Sequence, residues 1–503
     1  MAKPDATTNS KTNISEADAS QISDLLSRLP GACVVCIGDL MLDRYVEGRV
    51  SRLSPEAPIP VLEVQRETAM LGGAGNVLRN LAALGVTTEL IAAVGVDRAG
   101  HELASLLAKE AHVTPRLVSI PGRETSVKTR FVAGNQQLLR ADREVTSALA
   151  AADRQSLLDD AAAALASLTK APLVLSDYGK GVLGDTLVAE VIGLARAEGR
   201  AVVVDPKGRD FGKYRGATLV TPNRQELALA TGLPTETDED VAAAGRRVIE
   251  AHGIAAVLAT RSERGMTLVE RDAVHHLPAR AREVFDVSGA GDTVVAIVAA
   301  SIAAGAPLPL AAKLANLGAG VVVGKVGTAV VHPAEVLTAL HESELMDAEA
   351  KVATLQTMLD RALTWRRRGW RVGFTNGCFD LLHPGHVSLL KQARAACDRL
   401  VVGLNSDSSV KRLKGADRPI QGETSRAAVL ASLAAVDLVV IFHEDDPLKV
   451  INALRPDVLV KGADYRLDEV VGAAEVQSWG GKVVLANILN GHSTSDTIRR
   501  MAP

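Results

Sequence analysis

Short apolar segments alternate with Ala- and Leu-rich segments of helical length, and this alternation stops once and then restarts. No other feature constrains the fold as much. The first series places strands at 34–37, 89–94, 173–176, 201–205, 218–220 and 255–260. Helical text separates them, so the strands are expected to be joined by crossovers into a mostly parallel sheet. Segments 59–64 and 126–132 alternate differently and follow loops, which suits a small lid sheet over one end of the main one. From Ala334 to Leu363 the chain turns charged and loses its strands. Strands then resume at 370–376, 399–404, 438–442, 457–461 and 482–485, a compact mononucleotide-binding pattern. The fold class is therefore α/β throughout. The expected divisions are a disordered polar tail at 1–28, a first domain at 29–340, a helical linker at 341–366 and a second domain at 367–503.

Composition bears mainly on partners. Lys plus Arg number 56 against 59 Asp plus Glu, a net charge of -3, so nothing favours nucleic-acid or anionic-membrane binding. Small molecules are the expected partners. No segment reaches the roughly 20 apolar residues of a membrane span, and the first residues lack the apolar core of a signal peptide. Four cysteines in 503 residues make no disulfide framework. Cys33 and Cys36 lie in one apolar run, where residues three apart face opposite sides of a sheet, so core packing is expected rather than metal or redox use. A reduced cytoplasmic location fits.

The sharpest motif is Val287-Ser-Gly-Ala-Gly-Asp-Thr293, directly before an apolar helical run that ends at Gly305. Amides of Gly289, Ala290 and Gly291 at a helix start can converge on a phosphoryl group, aided by the helix dipole. Asp292 would repel that anion. Its presence points to taking a proton from an attacking hydroxyl, with helix capping as the plainer alternative. A dinucleotide fingerprint is excluded, because Val294 follows and no acidic residue occurs between Asp292 and Glu335. A P-loop is excluded as well, since Val127 stands where Gly122–Thr129 needs its second glycine.

Three clusters precede this turn. Asp39 and Asp43 follow the first strand, where ligands of open α/β sheets bind, and are candidates for substrate hydroxyls or for helix capping. Gly72, Gly73 and Asn76 open a helix over 77–84 and suit a sugar, whose hydroxyls both donate and accept. Lys207, Asn223 and Glu226 each follow a strand and are placed to share one rim with phosphate or magnesium-bound water.

These segments, with Thr260, Gly265 and Asp286-Val-Ser-Gly-Ala-Gly-Asp292, resemble the PfkB or ribokinase family of sugar kinases over roughly residues 30–335. The resemblance implies a ribokinase-like fold, Asp292 as catalytic base and the amides of 289–291 as an anion hole. It implies Gly72, Gly73 and Asn76 as sugar-binding, and Asn223 with Glu226 as serving phosphate and Mg²⁺ through water. Thr260, Arg261, Gly265 and Asn316 match positions lining the nucleotide pocket, although Arg261 is larger than the residue many relatives carry. A homodimer is implied too.

In the second domain, Gly377-Cys-Phe-Asp-Leu-Leu-His-Pro-Gly-His386 puts two imidazoles on a strand-to-helix turn before a helix over 387–396. No further ligands accompany His383 and His386, so contact with triphosphate is favoured over metal. Lys411, Arg412 and Lys414 offer a grip on phosphates, or a solvated basic loop. Ser493, Thr494 and Ser495 place hydroxyls at a helix start, with Arg499 a turn further in. The segments 374–386, 412–415 and 493–495 resemble the cytidylyltransferase-like nucleotidyltransferases over residues 370–500. That implies a Rossmann-like domain with His383, His386 and Lys414 in catalysis, and Phe379, Ser493, Thr494, Ser495 and Arg499 at the nucleotide.

A sugar kinase followed by such a transferase resembles the bifunctional enzymes of ADP-heptose synthesis. The resemblance implies ATP with Mg²⁺ and heptose phosphates as substrates, phosphorylation at O1, then AMP transfer to heptose 1-phosphate for the lipopolysaccharide core. The residues alone leave open another sugar, CTP in place of ATP, or a sugar-nucleotide sensor without catalysis.

Overall fold

The computed structural model describes residues 9–11 and 16–487, apart from 135, 280–283, 285, 326, 350 and 464–465. The chain divides into two compact units, Met1–Leu340 and His341–Pro503.

A ten-stranded sheet runs through the first unit. Its parallel centre places Cys33–Gly38 between Thr87–Gly95 and Leu173–Ser176, and continues through Val202–Asp205, Leu219–Val220 and Ala256–Thr260. These strands are apolar runs because helices cover both faces. Cys36 packs with the core beneath Ala290–Ala303 and Leu308–Val322, whereas Val35 and Ile37 join the opposite core under Ala151–Ser167 and Asp185–Ala197. Cys33 packs against the latter, so the two cysteines do face opposite sides. All four cysteines are free, and burial pushes the Cys36 thiol up to about 12.

Strand order reverses at Cys33–Gly38, because the chain first builds toward Thr87–Gly95 and later crosses to Leu173–Ser176 on the other side. Ligands of such sheets bind beyond the carboxyl ends at this switch point. Asp39 and Asp177 are the residues that leave those two strand ends.

Four strands form the lid sheet, in the order Pro60–Gly73, Leu40–Leu53, Val127–Ala133, Gln136–Arg143. The first two are 14 residues each, far longer than the sequence suggested. An antiparallel pair, Met266–Glu270 with Val274–Leu277, was also not anticipated.

The tail expected to be disordered through residue 28 is instead structured in part. Asn9–Lys11 pairs with the sheet edge, and Glu16–Arg28 is a helix. Ile22, Leu25 and Leu26 repeat at helical spacing and are buried in the main core. Asp18 pairs with Lys313 at 2.6 Å.

The second unit carries a six-stranded parallel sheet, ordered Val352–Ala353, Leu438–Phe442, Arg399–Asn405, Val372–Gly377, Val458–Gly462, Lys482–Ala486. Its switch point lies between Val372–Gly377 and Val458–Gly462. Much of the expected linker belongs to this unit: Val352–Ala353 is a sheet strand, and Leu355–Arg367 buries Met358 and Ala362 in its core. The apolar stripe 355, 358, 359, 362 and 365 is the physical reason.

Candidate active sites

In the first unit, Asp292 lies in the first turn of Ala290–Ala303 and is only 6% exposed. Asn76 Nδ2 donates to its Oδ2 at 2.8 Å and the Tyr178 hydroxyl donates to its Oδ1 at 2.6 Å. Burial pushes the carboxyl up to about 6, although both hydrogen bonds act to lower it. A carboxylate held near neutrality is suited to receive a proton. Asn76 is itself fully buried, and its Oδ1 has no protein partner, which leaves an acceptor for a ligand hydroxyl.

The glycines explain the turn. Gly289 has φ +79°, and a Cβ there would sit 2.5 Å from Asn76 Nδ2. At Gly291 an added Cβ meets nothing within 4 Å, so the side of the turn that it faces is open. Asp286 braces the turn from below, accepting from the amides of Ser288 at 2.8 Å and Gly327 at 3.1 Å. Gly73 takes φ +60° before Ala74–Ala83, and a Cβ on Gly72 would collide with the Asp43 carboxylate. The lid sheet places Asp43, Lys128 and Arg130 side by side. Arg130 pairs with Asp43 at 2.7 Å, and Lys128 lies 5.7 Å over the Tyr178 ring.

Asp39 anchors a neighbouring loop. Its buried carboxylate accepts from the amides of Tyr178 at 2.8 Å, Lys180 at 3.0 Å and Val182 at 3.2 Å. These bonds tie it to the loop after Leu173–Ser176, because the adjacent strand ends bring those amides to it.

Along the rim, Asn223 caps Arg224–Thr231 in a reciprocal capping box with Glu226, and Lys207 pairs with Glu226 at 2.8 Å. Asn223 is bridged to Thr260. The three rim residues therefore meet as expected. The Asp205 carboxyl is held well above the usual range by burial and by Asp292 and Glu226. Asn316 donates to the Pro278 carbonyl at 2.8 Å, and Gly265 takes φ +84° where a Cβ would strike the Leu277 carbonyl. Arg261 departs from expectation: it is 2% exposed, pairs with Asp238 at 2.7 Å and donates to Thr267 at 3.0 Å. Its charge is committed inward, because the N-terminus of Asp238–His252 presents an acidic partner.

No group of three or more His, Cys, Asp or Glu side chains forms a metal-ligand set among the described residues. Asn223 and Glu226 supply hard oxygen atoms, but these are engaged with each other and with Lys207. They suit a hydrated magnesium ion reached through water rather than a protein cage.

In the second unit, His383 caps Pro384–Ala395, and its ring stacks on His386 with centroids 3.8 Å apart. Phe379 packs 5.2 Å from His386 and holds an uncommon φ of +43°. Burial, then His383 and Lys414, push the His386 imidazole down to about 4. It is neutral near pH 7 with its ring hydrogen-bonded to the Leu381 backbone, so donation to a phosphate goes with uptake of a second proton. Arg412 pairs with Asp445 at 2.6 Å, and Lys411 and Lys414 share its turn at the end of Asp407–Lys414. Ser493, Thr494, Ser495 and Arg499 lie outside the described residues.

Two braces went unnoticed in the sequence. Asp380 accepts from the amides of Ile420 and Gln421 and pairs with Arg418 at 2.5 Å. Arg426, 1% exposed, donates to the carbonyls of Cys378, Asn405 and Gln421 and to Asp407. Together they fix the loops around the two imidazoles. Tyr178 was missed as well, although Ser176-Asp-Tyr-Gly-Lys180 follows a strand as the other clusters do.

A ribokinase-type sheet with a lid and a buried carboxylate defines a sugar kinase, and a parallel sheet with stacked imidazoles at its switch point defines a nucleotidyltransferase. Residues 32–335 match the pfkB family carbohydrate kinases, and residues 374–500 match the cytidylyltransferase-like family. Phosphofructokinase-2 from Escherichia coli, solved with substrates and products, shares the first unit's fold at a TM-score of 0.53 and 19% identity, covering 61% of this chain and 99% of that one. Over nearly the whole chain, "Bifunctional protein HldE" of Paramagnetospirillum magneticum is 58% identical, covering 96% of this chain and 99% of that protein. The protein of the same name from Rhodospirillum rubrum is 57% identical, covering 95% and 97%. The chain belongs to the HldE family of bifunctional proteins, a pfkB-type carbohydrate kinase joined to a cytidylyltransferase-like enzyme.

Proposed function

We propose that the first unit phosphorylates D-glycero-β-D-manno-heptose 7-phosphate at O1 with ATP, and that the second transfers AMP from ATP to heptose 1-phosphate, releasing pyrophosphate. The product is ADP-heptose for the lipopolysaccharide core. The observation that carries the kinase reading is the Asp292 carboxylate, buried between two donors at the start of a helix and pushed up to about 6.

Asp292 takes the proton of the anomeric hydroxyl as the sugar oxygen attacks the γ-phosphorus and the bond to the β–γ bridging oxygen breaks to release ADP, while the amides of Gly289, Ala290 and Gly291 hold the transferring group. Gly72, Gly73, Asn76 and Asp43 position the sugar. Lys207, Asn223 and Glu226 serve the phosphates, with Thr260, Gly265 and Asn316 on the nucleotide side. Magnesium, held through water by Asn223 and Glu226, would neutralise ATP oxygens.

In the second unit no protein nucleophile is needed. The sugar phosphate attacks the α-phosphorus, while His383, His386 and Lys414 donate to phosphate oxygens that gain charge as pyrophosphate leaves. Phe379 borders the nucleotide, and Ser493, Thr494, Ser495 and Arg499 complete the anion contacts.

The enzyme is placed in the cytoplasm, where ATP and reduced thiols occur, and as a homodimer. Exposed Leu53, Val64 and Leu139 on the lid sheet, with Ile59 in the turn beside them, support an apolar contact between copies. A sensor without catalysis would not need a buried base, and the near full-length similarity to proteins named HldE disfavours another sugar or CTP. The test is to incubate the protein with ATP, Mg²⁺ and heptose 7-phosphate, alone and with a phosphatase that removes the 7-phosphate, and to identify products by mass. Heptose 1,7-bisphosphate and then ADP-heptose are expected; failure to form the bisphosphate overturns the proposal.

A further inference from the structure

We propose that Tyr178 is a positioning residue of the kinase site: its hydroxyl fixes the rotamer of the Asp292 carboxylate so that the proton-accepting oxygen faces the sugar hydroxyl. The inference rests on the reading of Asp292 as the base, and deepens it.

The geometry comes from the switch point. Strands Cys33–Gly38 and Leu173–Ser176 are adjacent and in register, with Gly38 opposite Ser176. A Cβ at Gly38 would lie 2.5 Å from the Ser176 carbonyl, so the two strand ends approach as closely as backbones allow. Asp39 leaves one end and gathers the amides of Tyr178, Lys180 and Val182 from the other. Three hydrogen bonds to one buried carboxylate give the 178–182 loop a single conformation. Asp177, leaving the same strand, accepts from Gly179 at 2.8 Å and from the Tyr214 hydroxyl at 2.7 Å, and pairs with Lys213. The loop is thus anchored on both sides of Tyr178.

From that loop the Tyr178 hydroxyl reaches Asp292 Oδ1 at 2.6 Å. Asn76 holds the other oxygen at 2.8 Å. Each oxygen has one donor, so the carboxylate cannot rotate about its terminal torsion without losing both. Burial raises the phenol well above its ordinary value, so it stays protonated and can only donate to the ionised base. Lys128 of the lid covers the outer face of the ring. The groups that act on Asp292 electrostatically are Asp43 and Lys128 from the lid sheet, Tyr178 from the loop, and Asp205 and Cys36 from the central sheet.

The test is Tyr178→Phe in the full-length enzyme, which keeps the ring and removes the donor. Expected are a fall in kinase kcat of about ten- to a hundredfold with both KM values within about twofold. The acid limb of the kcat profile should move up by about one pH unit, because a donor to the ionised form is lost. AMP transfer by the same sample should be unchanged. A purely structural residue would not move the acid limb. A kcat within twofold of the parent, a superimposable pH profile, or a change confined to KM would each overturn the proposal. Tyr178→Leu, which also removes the ring beneath Lys128, should show the same limb; a limb back at the parent position would overturn it as well. Asp292→Asn is assayed alongside. If that variant turns over, the base assignment fails; if it is dead while Tyr178→Phe is unaffected, only the role of Tyr178 fails.

Discussion

Asn76 Nδ2 donates to Asp292 Oδ2 at 2.8 Å across a helix pair whose residues are 216 apart in the chain. Ala74–Ala83 and Ala290–Ala303 pack so closely there that residue 289 has to be glycine. Asn80 tightens the pair, accepting from Thr293 at 3.1 Å and donating to the Asn76 carbonyl at 2.9 Å. The sugar-side and phosphate-side turns are therefore one rigid construction, and a base built on it needs no reorganisation when the substrate arrives.

Asp292→Asn separates the two activities. Asparagine occupies the same volume but cannot take a proton at this pH, so kinase turnover should fall by at least about 10²–10⁴-fold. AMP transfer should stay within twofold of the parent when heptose 1-phosphate is supplied. Coupled assays on one preparation decide it, and an equal loss of both activities contradicts the division of labour.

Acid should switch the kinase off earlier than an ordinary aspartate would. Burial raises the Asp292 carboxyl to about 6, so the base is ionised at pH 7.5 and increasingly protonated below pH 6. In that range log kcat/KM for the sugar should fall with a slope approaching one per pH unit. A profile flat down to pH 4.5 would mean that the reacting proton goes elsewhere.

The fold was legible in the sequence where burial is two-sided. Strands such as Leu173–Ser176 and Arg399–Asn405 are apolar runs because both faces are covered. Leu40–Leu53 was not, because its outer half carries Arg49, Arg52 and other polar residues facing solvent. Short motifs revealed Asp292, His383 and His386, whose neighbours in the chain are also neighbours in space. Tyr178 carries only its place after a strand, and Arg426 carries no local mark at all. Arg426 reads as an ordinary helical arginine until its three carbonyl partners, drawn from segments at 378, 405 and 421, are seen to converge on it. Asp39 was found, but only the crossing of two strand ends reveals that it serves the loop.

His386→Ala should give the reverse split, with AMP transfer down by about 10²-fold or more and the kinase unaffected. A second signature follows from the titration. The free imidazole is pushed down to about 4 by burial, then by His383 and Lys414, and the negative charge of a bound triphosphate acts in the opposite direction. ATP binding near pH 5 should therefore take up protons. Calorimetry in buffers of different ionisation enthalpy measures this, and uptake that persists in His386→Ala would assign it to another group.

Removal of the buried guanidinium in Arg426→Met leaves three carbonyls and the Asp407 carboxylate short of a donor. The second unit should lose about 2–4 kcal/mol of stability, a drop of roughly 5–10 °C in its melting transition. The kinase should keep its rate. An unchanged transition with full AMP transfer would show that water replaces the guanidinium without cost.

Ile22→Ala tests whether the N-terminal helix is part of the kinase core. Ile22 is fully buried with Leu25 and Leu29 against an apolar core that includes Leu308–Val322, so truncation removes apolar contact and leaves a cavity. The expected cost is about 2–4 kcal/mol in urea unfolding of the first unit. Ser20→Ala, two residues away on the exposed side, should cost less than about 0.5 kcal/mol. If the two variants unfold alike, the helix contributes nothing to the core, and truncation of the first 28 residues would be harmless to the kinase.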